Sequence, residues 1–190
     1  RLYEMFMGPL DATKPWTENG VKGVSNFLKR VWYFFSETNN LFEGEEDKET
    51  LKVLHQTIKK VGDDIEDLKF NTAISQMMIF TNHCLKKGKV TKETAETFMK
   101  VLAPYSPHIA EEIWSIYGNK PSVSQQIWPV FNESYLTEDT VLYPVSFNGK
   151  MRFQMELPVD ISNEEIEKSV LSNEMSAKWI EGKEIVKFII

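Results

Sequence analysis

Gly20-Val21-Lys22-Gly23-Val24-Ser25-Asn26-Phe27-Leu28-Lys29-Arg30-Val31-Trp32-Tyr33-Phe34-Phe35-Ser36 is the stretch whose reading decides the fold. Val21, Val24, Phe27, Leu28, Val31, Trp32 and Phe35 recur at three- and four-residue spacing, which gathers them on one face of a helix. The spacing predicts a helix over 20–36, with Thr17 or Asn19 as its N-cap. An amphipathic helix gains most of its stability from packing, so this stripe demands apolar neighbours.

The chain on either side supplies them. A short helical pattern (Leu2, Met5, Phe6) comes first, and Gly8, Pro9 and Pro15 break it before Trp16. After an acidic loop that ends near Asp47, Leu51, Leu54, Ile58, Val61 and Ile65 form a second stripe. Asn71 reads as the N-cap of a third helix carrying Ala73, Ile74, Met77, Met78, Cys84 and Leu85, stopped by Gly88. Thr91 opens a fourth with Ala95, Phe98, Met99 and Leu102 inward. Ser106-Pro107 starts a fifth bearing Ile109, Ile113, Trp114 and Tyr117. Successive amphipathic helices joined by short turns predict an antiparallel bundle over 18–120, with residues 1–17 as a connector before it.

The composition changes at Gly118 to Pro121. Residues 121–139 read as a linker, and its Trp128 and Phe131 should fold back on the bundle rather than face water. Val141, Tyr143, Val145 and Phe147 then alternate, Asn148-Gly149 supplies a type I′ turn, and Met151, Phe153, Met155 and Leu157 alternate again. Pro144 lacks a backbone donor, which suits an edge strand. Ser162 with Glu165 is a capping box for a helix through Ile166, Val170 and Leu171. A helical turn over 175–180 and a strand from Glu184 complete the prediction: a mainly α protein with a small strand-strand-helix-strand appendix over 140–190. Arg1 stands inside a helical pattern and Ile190 inside a strand pattern, so the sequence reads as a piece of a longer polypeptide with a truncated appendix.

Composition bounds the function. No run approaches the roughly 18 apolar residues of a membrane span, and the first residues do not form a secretory signal. The single cysteine, Cys84, lies in an apolar helical pattern and reads as a buried reduced thiol of a cytoplasmic protein. A net charge of -6 argues against a generic nucleic-acid binder. The imbalance is local: residues 1–120 hold 16 Lys/Arg against 17 Asp/Glu, and residues 121–190 hold 6 against 11. Glu43, Glu45, Glu46, Asp47 and Glu49 read as a solvated acidic loop without the glycine and spacing of a calcium site. His83 and Cys84 are adjacent on a helix and point about 100° apart, which disfavours a shared metal.

Several phrases carry a resemblance. They are Arg1-Leu2-Tyr3-Glu4-Met5-Phe6-Met7-Gly8-Pro9-Leu10, Lys14-Pro15-Trp16, Phe27-Leu28-Lys29-Arg30-Val31-Trp32, Phe70-Asn71-Thr72-Ala73-Ile74-Ser75, Leu102 through Trp114, Trp128-Pro129, and Asn148-Gly149-Lys150 followed by Arg152. In order and spacing they resemble the region of bacterial-type, class I leucyl-tRNA synthetases that follows the catalytic domain. The resemblance implies an anticodon-binding-type bundle along the inner side of a tRNA, then a small domain reaching the tRNA corner. It implies tRNA(Leu) as partner, together with catalytic and editing domains of the same polypeptide. ATP and Mg would serve the full-length enzyme, with no cofactor in this fragment. The isoleucyl, valyl and methionyl enzymes carry similar bundles and remain alternatives, as does a protein-interaction bundle with no RNA role. Tyr33 departs from the family pattern, which commonly has Arg or Lys after Val-Trp.

Class I adenylation needs a His-x-Gly-His element and a Lys-Met-Ser-Lys-Ser loop to hold ATP phosphates. This sequence has neither: His55, His83 and His108 are isolated, and Lys150-Met151 continues as Arg152-Phe153. No catalytic residue and no metal ligand is expected, so the fragment alone should be inactive. The candidate tRNA contacts are basic. Lys29 and Arg30 flank the apolar stripe. Lys86, Lys87, Lys89 and Lys92 surround Gly88 with no acid among them. Lys150 and Arg152 lie two apart at the hairpin tip, and Lys183 and Lys187 belong to the last strand. Trp16, Trp32, Trp114 and Trp128 fall in apolar patterns and are assigned to packing.

Overall fold

The computed structural model describes residues 1–136, 140–159, 161–180 and 189. The chain divides into two compact units, Arg1–Leu136 and the residues from 137 onward.

The first unit is a helical bundle of α1 (Leu2–Phe6), α2 (Glu18–Phe35), α3 (Lys48–Glu66), α4 (Phe70–Lys87), α5 (Lys92–Leu102) and α6 (Pro107–Ile116). Thr17 caps α2, its Oγ1 accepting from the Gly20 N–H at 3.3 Å. The predicted stripe of α2 is buried at Val24, Phe27, Val31 and Phe35. Phe34 joins the core although the sequence stripe left it out, and Trp32 faces solvent although the stripe included it. The face contacted by α4 and α6 is thus rotated toward Phe34. Phe35, Phe80 and Phe98 form the centre, with ring centroids 5.1 Å apart for Phe35 and Phe98 and 4.7 Å for Phe80 and Phe98. The Tyr117 hydroxyl donates to the Phe35 carbonyl at 2.6 Å and ties the end of α6 to the end of α2.

Two helix starts differ from expectation. Asn71 is not the cap of α4, because the helix begins at Phe70 and Lys69 holds the cap position. Leu68 takes φ 58, which turns the chain so tightly that the Lys69 N–H donates to the Asp64 carbonyl at 2.7 Å. The Thr72 hydroxyl then donates to the buried Asp64 carboxylate at 2.6 Å, and Asn71 is absorbed into the first turn. Ser106 does stand at the cap of α6 with Pro107 first in the helix, but its side chain accepts no capping hydrogen bond.

Residues 1–17 are packed onto the bundle. The Tyr3 hydroxyl accepts from the Thr17 N–H at 2.9 Å and donates to the Pro15 carbonyl at 3.3 Å. Gly20 makes this approach possible, since a Cβ there would lie 2.7 Å from the Tyr3 ring and 2.9 Å from the Met7 sulfur. Residues 121–136 also belong to the first unit and run as a strap. Trp128 and Phe131 pack against the core, the Trp128 indole lying over Gly62. The Asn132 N–H donates to His55 Nδ1 at 3.1 Å, and Tyr135 stacks on the His55 ring at 4.7 Å. Burial pushes the His55 pKa below the ordinary imidazole value, which keeps Nδ1 available as an acceptor.

The acidic loop is not merely solvated. Leu41–Phe42 (β1) pairs in parallel with Val90–Thr91 (β2), and Glu46 accepts from the Thr91 N–H at 2.7 Å. Asp47 caps α3 by accepting from the Thr50 N–H at 3.1 Å. Two acids of the run are therefore structural, while Glu43, Glu45 and Glu49 face water.

The second unit contains an antiparallel hairpin, β3 (Thr140–Phe147) and β4 (Lys150–Pro158), then α7 (Asn163–Ser172) and α8 (Glu174–Ile180). Asn148 (φ 52) and Gly149 (φ 74) make the turn in the left-handed region, as their identities predict. The capping box on α7 is complete: Ser162 accepts from the Glu165 N–H, and the Glu165 carboxylate accepts from the Ser162 N–H. Val145, Phe153, Leu157, Ile166 and Val170 form the small core. The expected last strand, with Lys183 and Lys187, lies outside the described residues.

Candidate nucleic-acid interface

On α2 the residues opposite the core form a continuous polar row. Lys22, Asn26, Lys29 and Tyr33 are exposed, and Arg30 is half-buried beside them. Among the described residues, Lys22, Lys29 and Arg30 enter no ion pair, and the buried Arg30 Nε has no hydrogen-bond partner. These cations are not consumed by the fold.

The turn between α4 and α5 is different. Gly88 adopts φ 86 and ends α4, so Lys86 and Lys87 fall at the helix C-terminus, where cations are favoured. No acid lies within the turn itself, but two carboxylates reach it from outside. Lys87 Nζ lies 3.1 Å from Asp47 and Lys92 Nζ lies 3.7 Å from Glu96. The sequence hid the first pair because Asp47 is 40 positions away and is brought in by the β1–β2 pairing. Burial opposes ionisation of Asp47, but hydrogen bonds from Thr50 and the Lys87 ammonium outweigh it and bring its pKa down to about 2. Lys86 and Lys89 stay exposed, without ion pairs among the described residues.

At the hairpin tip the register shifts between Val145 and Ser146: Val145 pairs with Phe153, Ser146 with Met151, and Phe147 with Lys150. Arg152 has no cross-strand partner in that register. A bulge changes local strand direction, so the simple alternation expected around Arg152 is broken. Met151 is exposed, and the Arg152 guanidinium lies 3.9 Å from the centroid of the Trp179 ring, which itself stacks on Phe147 at 6.4 Å. Lys150 is exposed at the tip, whereas Arg152 is held by a cation–π contact within the unit.

The tryptophans divide. Trp114 is buried, donating from Nε1 to the Pro121 carbonyl at 2.9 Å, and Trp128 is half-buried against α3. Trp16 is 69% exposed and Trp32 43% exposed, so their assignment to packing is corrected. Trp16 meets the Tyr3 ring edge to face at 4.6 Å and otherwise projects into water. Cys84 is buried, and burial together with Glu46 raises its thiol pKa, the opposite of what a reactive thiolate needs. His83 Nε2 is 2.9 Å from the Thr50 hydroxyl. No group of three or more metal-ligating side chains occurs among the described residues, and none of their helices is long and apolar enough to cross a membrane.

Comparison with known proteins gives this geometry a family. A model of the anticodon-binding domain of tRNA ligases matches residues 47–168. The leucine–tRNA ligase of Phocaeicola vulgatus is 48% identical over 193 aligned residues, which cover all of this chain and 20% of that protein. That of Christiangramia forsetii is 46% identical with the same coverage. The chain thus spans about a fifth of the length of these curated relatives. Among solved structures, the LeuRS of Agrobacterium radiobacter, crystallised in a ternary complex with tRNA and LeuAMS, superposes with a TM-score of 0.75 at 28% identity, covering 100% of this chain and 27% of that one. With the domain model spanning more than half of its length, this chain belongs to the anticodon-binding domain family of tRNA ligases.

Proposed function

We propose that this chain is the tRNA-positioning part of a leucine–tRNA ligase. It supports ATP-dependent attachment of leucine to tRNA(Leu) by catalytic machinery that lies elsewhere in a longer, cytoplasmic polypeptide. The observation that carries the reading is identity of 44 to 48% along the whole chain to leucine–tRNA ligases, joined to the domain match over 47–168. Nothing favours the isoleucyl, valyl or methionyl alternatives or a bundle without an RNA role.

In this reading the bundle holds the tRNA through Lys22, Lys29, Arg30, Lys86 and Lys89, and the second unit adds Lys150 near the tRNA corner. Lys87 and Lys92 contribute less, because each would have to leave a carboxylate. Arg152 acts once it leaves Trp179, or contributes its charge in place. Lys183 and Lys187 stay as candidates from the last segment. ATP and Mg would serve the full-length enzyme, and the lack of His-x-Gly-His and Lys-Met-Ser-Lys-Ser elements in this sequence supports a fragment that is inactive by itself.

Filter binding of the 190-residue chain to tRNA(Leu) tests the reading. Affinity should fall steeply as salt rises from about 50 to about 200 mM, because each neutralised phosphate releases counterions. An affinity that is absent at low salt, or indifferent to salt, refutes it.

A further inference from the structure

Tyr33 is 71% exposed, more than Trp16 or Trp32, and it ends the polar row of α2. Side chains three and four apart on a helix are neighbours. Lys22, Asn26, Lys29 with Arg30, and Tyr33 follow one another at those steps, spanning about 16 Å along the helix at 1.5 Å per residue. Trp32, 43% exposed, widens the aromatic end of the row.

A large exposed ring calls for an explanation when it stands beside three cations that form no ion pair among the described residues. A salt-bridged surface would have acids along the row, but on α2 the only acid is Glu18, in the first turn. A protein-docking face would be apolar at its centre rather than cationic. Cations in line with an exposed ring are what a nucleic-acid strand recognises: the backbone follows the charges, and a base lays its face on the aromatic. The polyanion and Lys22, Lys29 and Arg30, which form no ion pair among the described residues, are complementary in charge, and the half-buried Arg30 has a buried Nε without a hydrogen-bond partner in the fold.

We propose that Tyr33 stacks on an unpaired nucleobase of the bound tRNA while Lys22, Lys29 and Arg30 engage the adjoining phosphates. The proposal rests on the tRNA-positioning function above and adds a contact that is not electrostatic. Tyr33 then does not simply lose the phosphate contact that Arg or Lys would make at its position. It substitutes a stacking contact that salt does not screen.

The test is filter binding of tRNA(Leu) by the full chain at several salt concentrations, with four variants. Tyr33→Ala should weaken binding about 5- to 150-fold, the range that loss of one stacked base produces, without changing the salt slope. Tyr33→Phe keeps the ring and should bind within about twofold of the parent. Tyr33→Arg should steepen the salt slope by roughly 0.7 to 0.9, one added phosphate contact. Lys29→Gln with Arg30→Gln should flatten it. Position 33 is exposed, so none of its variants threatens the fold, and circular dichroism checks each one. If the chain binds tRNA but Tyr33→Ala binds as the parent does, the stacking proposal falls and the tRNA-positioning function stands. The same is true if Tyr33→Ala only flattens the salt slope. If the parent itself binds no tRNA, both fall. If Tyr33→Ala leaves RNA binding intact yet abolishes association with another protein segment, the row is a protein contact and the proposal is wrong.

Discussion

The bundle and the appendix solve the same problem with very different means. In the bundle, Phe27, Phe35, Phe80 and Phe98 lose all contact with water, and long helices bring side chains from far apart in the sequence against one another. In the appendix the best-covered apolar side chains, Ile166, Val170, Val145, Leu157 and Phe153, each keep 5 to 8% of their surface. A small unit has little interior, so each side chain buries less area and the unit relies more on local devices: a type I′ turn, a capping box and an Arg–Trp contact. The bundle has the fully buried core, and the appendix leans on single local contacts.

The largest blow to that comparison would come from its centre. Phe98→Ala removes a ring that meets both Phe35 and Phe80, and should destabilise the bundle by about 3 to 5 kcal/mol in urea unfolding. Phe153→Ala, next in size, should melt the hairpin signals in NMR while the bundle's unfolding midpoint stays in place. A single transition for both units in that variant would show that they do not fold separately. Asp47→Ala should cost the bundle about 1 kcal/mol through loss of a helix cap. The pH dependence has a definite sign. Asp47 has a folded pKa of about 2, below its ordinary value of 3.8, so its contribution is present above about pH 4 and disappears as pH falls toward 2. His55, lowered by burial, likewise contributes fully above the ordinary imidazole pKa, and that contribution is lost as pH falls from there through the lowered folded value. Once corrected for the intrinsic pH dependence of exchange, the protection of the Asn132 amide should be lower in acid than at pH 7. Smallest is Arg152→Ala, which should cost the appendix about 0.5 to 1 kcal/mol by thermal unfolding, the worth of an exposed cation–π contact.

Much of the bundle was legible because periodicity acts locally. The stripe of α3, the caps at Thr17 and Thr91, the stop at Gly88 and the Asn148-Gly149 turn all depend on neighbours within a few residues. The candidate interface was legible only in part. Lys29 and Arg30 could be picked out as basic positions beside an apolar stripe, but their freedom from ion pairs could not. Lys87 looked as free as Lys86 until Asp47 arrived from another segment. Trp32 matched the apolar period and still faces water, because a helix stripe about 100° wide has an edge and only the neighbouring helices decide on which side of it a residue falls.

By itself, then, the sequence determined the helical period, the turns and caps, the absence of the two adenylation motifs and the family resemblance. Each is a property of residue identity and short spacing. Tertiary structure alone decided which cations are spent on carboxylates, that residues 1–17 and 121–136 are parts of the bundle, that Arg152 lies on Trp179, and that Tyr33 stands uncovered at the end of a basic row. The physical reason is the same in every case: ion pairing, ring stacking and burial depend on atoms that approach within a few ångströms, and the chain brings those atoms together only when distant segments pack.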